Sequence, residues 1–437
     1  METNKANDQP LYPEAAVSTP AAATILPGLP GRLFAPTTGM LRALRHRNYR
    51  LFWAGNFFSN IGTWMHQVAL GWLVIEMTNS AFLLGLTGFA QWTPALLFSL
   101  PAGVLADRLD RRRWLLSTQT VMMVVALALA VSVSLKIATY REVLVIAFLL
   151  GTASALTAPA YQAMVRDLSS REDVLNAIAM NSMQFNLSRF IGPSIAGILV
   201  STVSLASCFY INAASFLAPI LALSWLRYTP EPPHATGSTY ERLVEGIHYL
   251  RSHRQVFLLI GIVGMVSLFG LPYLVFLPVF ARDILQVGAR GLGYMTSASG
   301  GGALLGALLL ATWPQERRRG PLVLGGTLAF FGAVLLVAAS RNFYLSMVAL
   351  VLAGGAMVCS VATINSLIQT LVPDNVRGRV LSWHTMAYFG GSPVGSLLVG
   401  SLAYSVGTPM ALAISAAGPL LVTIGLLLGA RGLRHLH

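Results

Sequence analysis

The sequence predicts an all-α membrane protein with twelve transmembrane helices in two pseudo-symmetric six-helix bundles, and three observations predict it. Apolar runs of about twenty residues, the length that crosses a bilayer at helical rise, recur along a 437-residue chain that is 55% hydrophobic and 10% charged. The arginines between those runs fall mostly on one side. The two halves of the chain repeat each other's motifs. An ordinary soluble domain carries roughly a quarter charged residues, and a β-barrel reads as short alternating segments; the runs here are continuous.

Residues 1–41 are proline-rich with no unbroken apolar core, which predicts a disordered cytoplasmic tail rather than a signal peptide. Polar breaks then place spans at 48–76, 82–106, 113–135, 142–165, 177–203, 205–226, 256–281, 291–311, 321–340, 343–370, 379–402 and 408–430. The first bundle covers 42–226 and the second 256–430, with a short tail over 431–437. Between the bundles lies a cytoplasmic linker, 227–255, where Leu243, Ile247 and Leu250 share one face of an amphipathic surface helix.

The formal net charge of +13 suggests nucleic acid only until its placement is seen. Twenty-one arginines lie in loops on the N-terminal side of the spans, against five basic residues on the other (Lys136, Arg141, Arg282, Arg290 and Arg341). That asymmetry is a topology signal, and it predicts cytoplasmic termini with no nucleic-acid partner. The repeat has the same orientation in both halves. LSSREDVLNAIAM (168–180) matches LVPDNVRGRVLSWHTM (371–386), with Arg171 over Arg377 and Leu175 over Leu381. IGPSIAG (191–197) matches GGSPVGS (390–396) in the helix that follows. Paired repeats are a transporter signature and place a substrate between the halves near the midplane.

Other classes are excluded by inventory. The phosphate-binding loop needs glycine–lysine–serine or threonine, yet the two lysines, Lys5 and Lys136, follow Asn4 and Leu135. Cys208 and Cys359 sit in apolar runs far apart, which predicts neither disulfide nor metal site. The chain is expected to be a monomer without cofactor, working on a small molecule in the lipid bilayer. The alternatives are an importer or facilitator of a nutrient, or a receptor or anchor that transports nothing.

Within the spans, polar residues mark the expected cavity. Asn56, Asn60, Thr63 and Gln67 fall at helical spacing on span one, so that face looks to the cavity or packs on another helix. Gln91 and Trp92 of span two, Thr157 and Tyr161 of span four, Tyr273 of span seven, and Asn365 and Gln369 of span ten are the facing residues. Arg189 lies about twelve residues into span five, near the midplane, and no span holds a deep acidic residue to neutralise it. It attracts an anionic or carbonyl-rich substrate, responds to a proton moving nearby, or bonds backbone carbonyls around Gly192 and Pro193. Proton coupling needs a titratable group inside the protein, for which His66, His384 and Asp107 are the candidates.

The loop PAGVLADRLDRRRW (101–114) resembles that of the major facilitator superfamily between spans two and three, G-x-x-x-D-R/K-x-G-R/K-R/K. Gly103, Asp107, Arg108, Arg111 and Arg112 fit, while Asp110 stands where the family has glycine. Gly192, Pro193 and Gly197 resemble the span-five motif of the superfamily's exporters, with Ala196 replacing one glycine. RNYRLFWAGNFFSNIGTWMHQVALGWLV (47–74), AQWTPALLFSLPAGVLADR (90–108), NLSRFIGP (186–193) and PDNVRGRV (373–380) extend the likeness to the bacterial branch of enterobactin-type exporters and drug-efflux relatives. The resemblance implies the major facilitator fold and alternating access in a bacterial inner membrane. It implies export of small amphipathic or anionic compounds, drug-like or siderophore-like, by proton-coupled antiport. It also implies a cytoplasmic gate in which Asp107 and its arginines latch onto the start of span eleven near Arg377 and Arg379.

Overall fold

The computed structural model describes residues 41–226, 247–313, 318–429 and Leu436, with the side chains of all but Leu100 and Asp107. The expected tails apart from Leu41 and Leu436, most of the linker with Leu243, and the Asp107 carboxylate therefore lie outside the described residues.

Helices cover α1 (Arg47–Thr78), α2 (Ala81–Arg108), α3 (Arg111–Ser134), α4 (Tyr140–Asp167), α5 (Val174–Thr202) and α6 (Leu205–Trp225). They resume with α7 (Arg254–Ile284), α8 (Gly288–Thr312), α9 (Gly320–Ala339), α10 (Phe343–Leu371), α11 (Asp374–Val406) and α12 (Thr408–Gly429). Polar residues set where several begin: Ser80, Asp110, Thr139, Ser204 and Asn342 each accept a hydrogen bond from the amide three residues on. Among the described residues, nine helices are long and apolar enough to cross a membrane; α1, α5 and α11 fall short by composition. These three carry the buried polar residues Asn56, His66, Gln184, Arg189 and His384, which protein or a cavity rather than lipid must satisfy.

The span expected over 256–281 is not a uniform helix. In α7, π-helical turns at Val266–Gly270 and Phe280–Ile284 flank an α-helical segment, Tyr273–Val279, and the element runs on to Ile284. Pro272 and Pro278 lack the amide that would bond four residues back. The first π turn rests on α11, where a Cβ on Gly391 would come within 2.8 Å of the Leu268 nitrogen. The Ser267 hydroxyl donates there to the Tyr388 carbonyl.

In chain order the helices divide into two sets, α1–α6 and α7–α12. Within the first, α1 meets α5 and α6, and α4 meets α2 and α3; within the second, α10 meets α8 and α9, and α12 meets α9 and α11. Two long contacts join the sets, α2 with α11 and α5 with α8. The second depends on bare backbone: a Cβ on Gly197 would lie 2.9 Å from both the Ala289 carbonyl oxygen and the Gly293 Cα. Higher up, Ser297 donates to the Phe190 carbonyl (2.6 Å) and receives a bond from Ser194 (2.7 Å).

Gly197→Leu is expected to destabilise the protein by about 1–3 kcal/mol through overpacking, lowering the melting temperature in detergent. Gly425→Leu, at a position facing open space, should leave it unchanged.

Candidate functional site

A cavity of about 460 Å³ lies where the two sets of helices meet. From α1 it takes Asn56, Asn60, Thr63 and Gln67, set along one face by 3.6-residue periodicity. Gln91 and Trp92 of α2, Thr157 and Tyr161 of α4, and Arg189 of α5 complete this wall. Three residues expected to face the cavity are placed elsewhere. Tyr273 is fully buried, its hydroxyl 2.6 Å from the Ser299 Oγ. Gln369 donates to Asn365 along α10, away from the lining.

Sequence reasoning passed over Gln119, Gln162, Asn181, Asn186, Trp64, Phe185 and Tyr388, all of which line the cavity. The signal for two of them was present: Asn181, Phe185 and Arg189 recur every fourth residue, one face of α5. Several amides are uncommitted. Asn60, Gln67, Gln91 and Gln162 hold no hydrogen bond among the described residues, and the Gln119 Oε1 has no partner.

Arg189 is 7% exposed and has no carboxylate partner among the described residues. Its Nη2 donates to the Ser299 Oγ at 3.3 Å, and the guanidinium carbon lies 5.7 Å from the centroid of the Trp64 ring. The side chain thus bonds a hydroxyl of α8 rather than the carbonyls around Pro193. Pro193 has no amide to offer the Arg189 carbonyl, and Gly300 passes so near that a Cβ would sit 2.6 Å from that oxygen. At Gly192 a Cβ would lie 2.7 Å from the Ile61 carbonyl, fixing the α1–α5 crossing.

Both histidines are off the cavity. His66 is 3% exposed, edge-on to Phe209 with ring centroids 5.0 Å apart, and neither ring nitrogen has a partner. His384 is 1% exposed and its Nε2 is unpartnered.

At the arginine-rich end, the motif residues bind close to home. Arg111 pairs with Asp167 at 2.7 Å. Arg112 donates to the Leu223 and Ser224 carbonyls, both at 2.7 Å, closing the last turn of α6. Arg108 is exposed, and a Cβ on Gly103 would meet nothing. Arg377 pairs with Asp374 in its own first turn and donates to the Val372 carbonyl; Arg379 lies in the second turn of α11. Asp110 accepts from the Arg113 amide at 2.9 Å, so it caps α3.

A clasp that sequence reasoning missed straps the segment before α1 onto α5. Asp173 receives Arg42 (2.9 Å) and His46 (2.8 Å), Arg42 also reaches Glu172, and Asn176 accepts from the Ala43 amide. The His46 hydrogen bond, then the Arg42 charge, hold the Asp173 carboxyl below the usual carboxylate range. Tyr49 and Trp53 continue the seam, donating to the Ala177 and Met180 carbonyls. At the opposite end, Arg282 of α7 donates to the Ile75 carbonyl in the last turn of α1 and to Asn79 Oδ1, steadied by Asp283 at 2.6 Å.

A family model described as transmembrane secretion effector matches residues 38–432. The chain belongs to that family, within the major facilitator superfamily. It is 27% identical over 356 residues to the staphyloferrin A transporter of Staphylococcus aureus, covering 80% of this chain and 88% of that protein. It is 28% identical over 386 residues to the enterobactin exporter EntS of Shigella boydii, covering 88% and 91%. A solved structure of the nucleoside transporter NupG shares the fold with a TM-score of 0.74 at 13% identity, covering 87% of this chain and 99% of that one. This chain is therefore a multi-pass membrane transporter and not an enzyme.

Asp110 departs from the superfamily's glycine, and the cap explains what it contributes. Asp110→Ala should cost about 1 kcal/mol and Asp110→Gly only a few tenths, read as shifts in thermal unfolding of the purified protein.

Proposed function

We propose that this secretion effector exports small anionic, siderophore-like compounds across a bacterial inner membrane by alternating access. In this reading all twelve helices cross the membrane. The bundles 42–226 and 256–430 rock about the cavity, and both termini are cytoplasmic. The observation that carries it is Arg189, the one charged side chain among the described residues that line the cavity. Two unit charges 4 Å apart interact by about 4 kcal/mol at an effective dielectric of 20, whereas a neutral hydrogen bond nets about 1 kcal/mol. One guanidinium with no facing carboxylate among the described residues therefore outweighs several amide contacts, and favours anions over the cationic amphiphiles among drugs. The names of the two relatives, a staphyloferrin A transporter and an enterobactin exporter, agree with that chemistry.

Alternating access needs a seal that forms and breaks at each end. Arg282 supplies one at the outer end, joining α7 to α1. Export rather than import follows from the span-five Gly192–Pro193 motif and from the name of the enterobactin relative. Proton antiport rests on the superfamily resemblance, with His66 and His384 as the titratable groups buried in the helices and Asp107 at the inner end of α2.

The deciding experiment uses purified protein in proteoliposomes with an imposed pH gradient and a panel of anionic, neutral and cationic compounds. Uptake of anions that collapses the gradient is the expected result, and preference for cations would sink the reading. Arg189→Ala should weaken anionic ligands tenfold or more and neutral ones less than threefold; equal losses would assign Arg189 a structural role. For the outer seal, a cysteine replacing Thr296 in the cavity lining is introduced into a Cys208→Ser, Cys359→Ser background. Adding Arg282→Ala should raise its labelling by an impermeant thiol reagent from outside severalfold.

A further inference from the structure

The cavity has one mixed wall and one mostly apolar wall, and they belong to different helices: α1 to α5 set Trp64, Trp92, Met122 and Phe185 among their polar residues. Every carboxamide lining it, together with Arg189, comes from α1 to α5. The facing wall, from α7, α8, α10 and α11, presents Leu274, Val275, Met357, Val358 and Val361, with Thr296, Tyr388 and Ser392 as its polar members. This division is not imposed by burial alone, because α10 does hold polar side chains. Ser360 and Thr363 are turned away, Ser360 sharing a hydrogen bond with Thr327 of α9 and Thr363 donating to the Cys359 carbonyl. The face of α10 that meets the cavity is the apolar one.

We propose that the site takes a two-faced ligand and reads its two faces on separate walls. A carboxylate or carbonyl-rich head binds Arg189 and the amides of α1 to α5, and an aryl or acyl body lies on α7 and α10. An amide that the ligand dries without bonding loses the hydrogen bonds water gave it, so the half-buried, uncommitted Asn60, Gln67, Gln91 and Gln162 favour a head that can both donate and accept. The apolar wall makes no such demand and gains only with the area it covers. Head selectivity and body length are therefore tuned by different substitutions, on different helices. Because the ligand touches both walls, it bridges the two sets of helices when the cavity closes around it.

This inference rests on the cavity being the substrate site, as proposed above, and its test reads binding without transport. Purified full-length protein is titrated with N-acylglycines from acetyl to octanoyl, which pair one carboxylate and one amide with a body of rising length. Wild-type affinity should rise by up to about fourfold per methylene, the factor given by about 0.8 kcal/mol per buried CH₂. Val358→Thr with Val361→Thr, which keeps volume, should at least halve that gain per methylene and change acetylglycine affinity less than twofold. Met357→Gln gives a second, independent position on α10 with the same expected pattern. Gln91→Ala and Asn60→Ala should lower every member by a common factor and leave the slope intact. A slope that the α10 variants do not change, a slope flattened by the amide variants, or no saturable binding by any member would overturn the proposal. Binding with the expected slopes but no movement across proteoliposomes would instead sink the transport reading alone.

Discussion

A guanidinium buried between helices, with no carboxylate partner among the described residues, is the constraint around which this protein is arranged. Removing such a charge from water is expensive, and an ion pair is the usual remedy. Here the remedy is distributed. The Trp64 face, the Ser299 hydroxyl and the polar cavity share Arg189 among them. Reaching Ser299 requires α8 to lie against α5 at backbone distance, which is why Gly197, Gly293 and Gly300 recur along that contact. Meeting Trp64 requires α1 to cross α5 at Gly192. The helix that bears the charge is thus held by two neighbours through positions where no side chain fits.

Much of the fold was legible because hydrophobic runs and charge placement are one-dimensional signals. So was the polar face of α1, since helical spacing alone aligns Asn56, Asn60, Thr63 and Gln67. Periodicity records which residues share a face but not what that face meets. Tyr273, Asn365 and Gln369 looked like cavity residues for this reason, and in the fold they bond protein partners instead. The π turns of α7 left no periodic trace, because one added residue per turn shifts the register only locally. Pro272 and Pro278 mark the place without saying which form the helix takes.

The arginine-rich loop teaches a related lesson. Its basic residues were expected to set topology, and in the fold Arg111 and Arg112 have specific structural partners on α4 and α6. Asp110, an apparent departure from the family pattern, follows the commoner rule for the residue that opens a helix. In both cases the local chemistry of helix ends decides, and a motif comparison alone does not display it. The clasp of Arg42 and His46 on Asp173 went unseen because its members lie about 130 residues apart.

The contact that Arg282 makes between α7 and α1 has one more property. Across the interface it grips a peptide carbonyl and a carboxamide, neither of which takes up a proton in any ordinary range of acidity. Had α1 offered aspartate or glutamate at those two points, acidifying that face would strip the acceptors of charge and slacken the closure. As built, the acceptors are indifferent to the acidity of the medium they face. Acidity therefore reaches this contact only through Asp283, the carboxylate on the same helix that steadies the guanidinium.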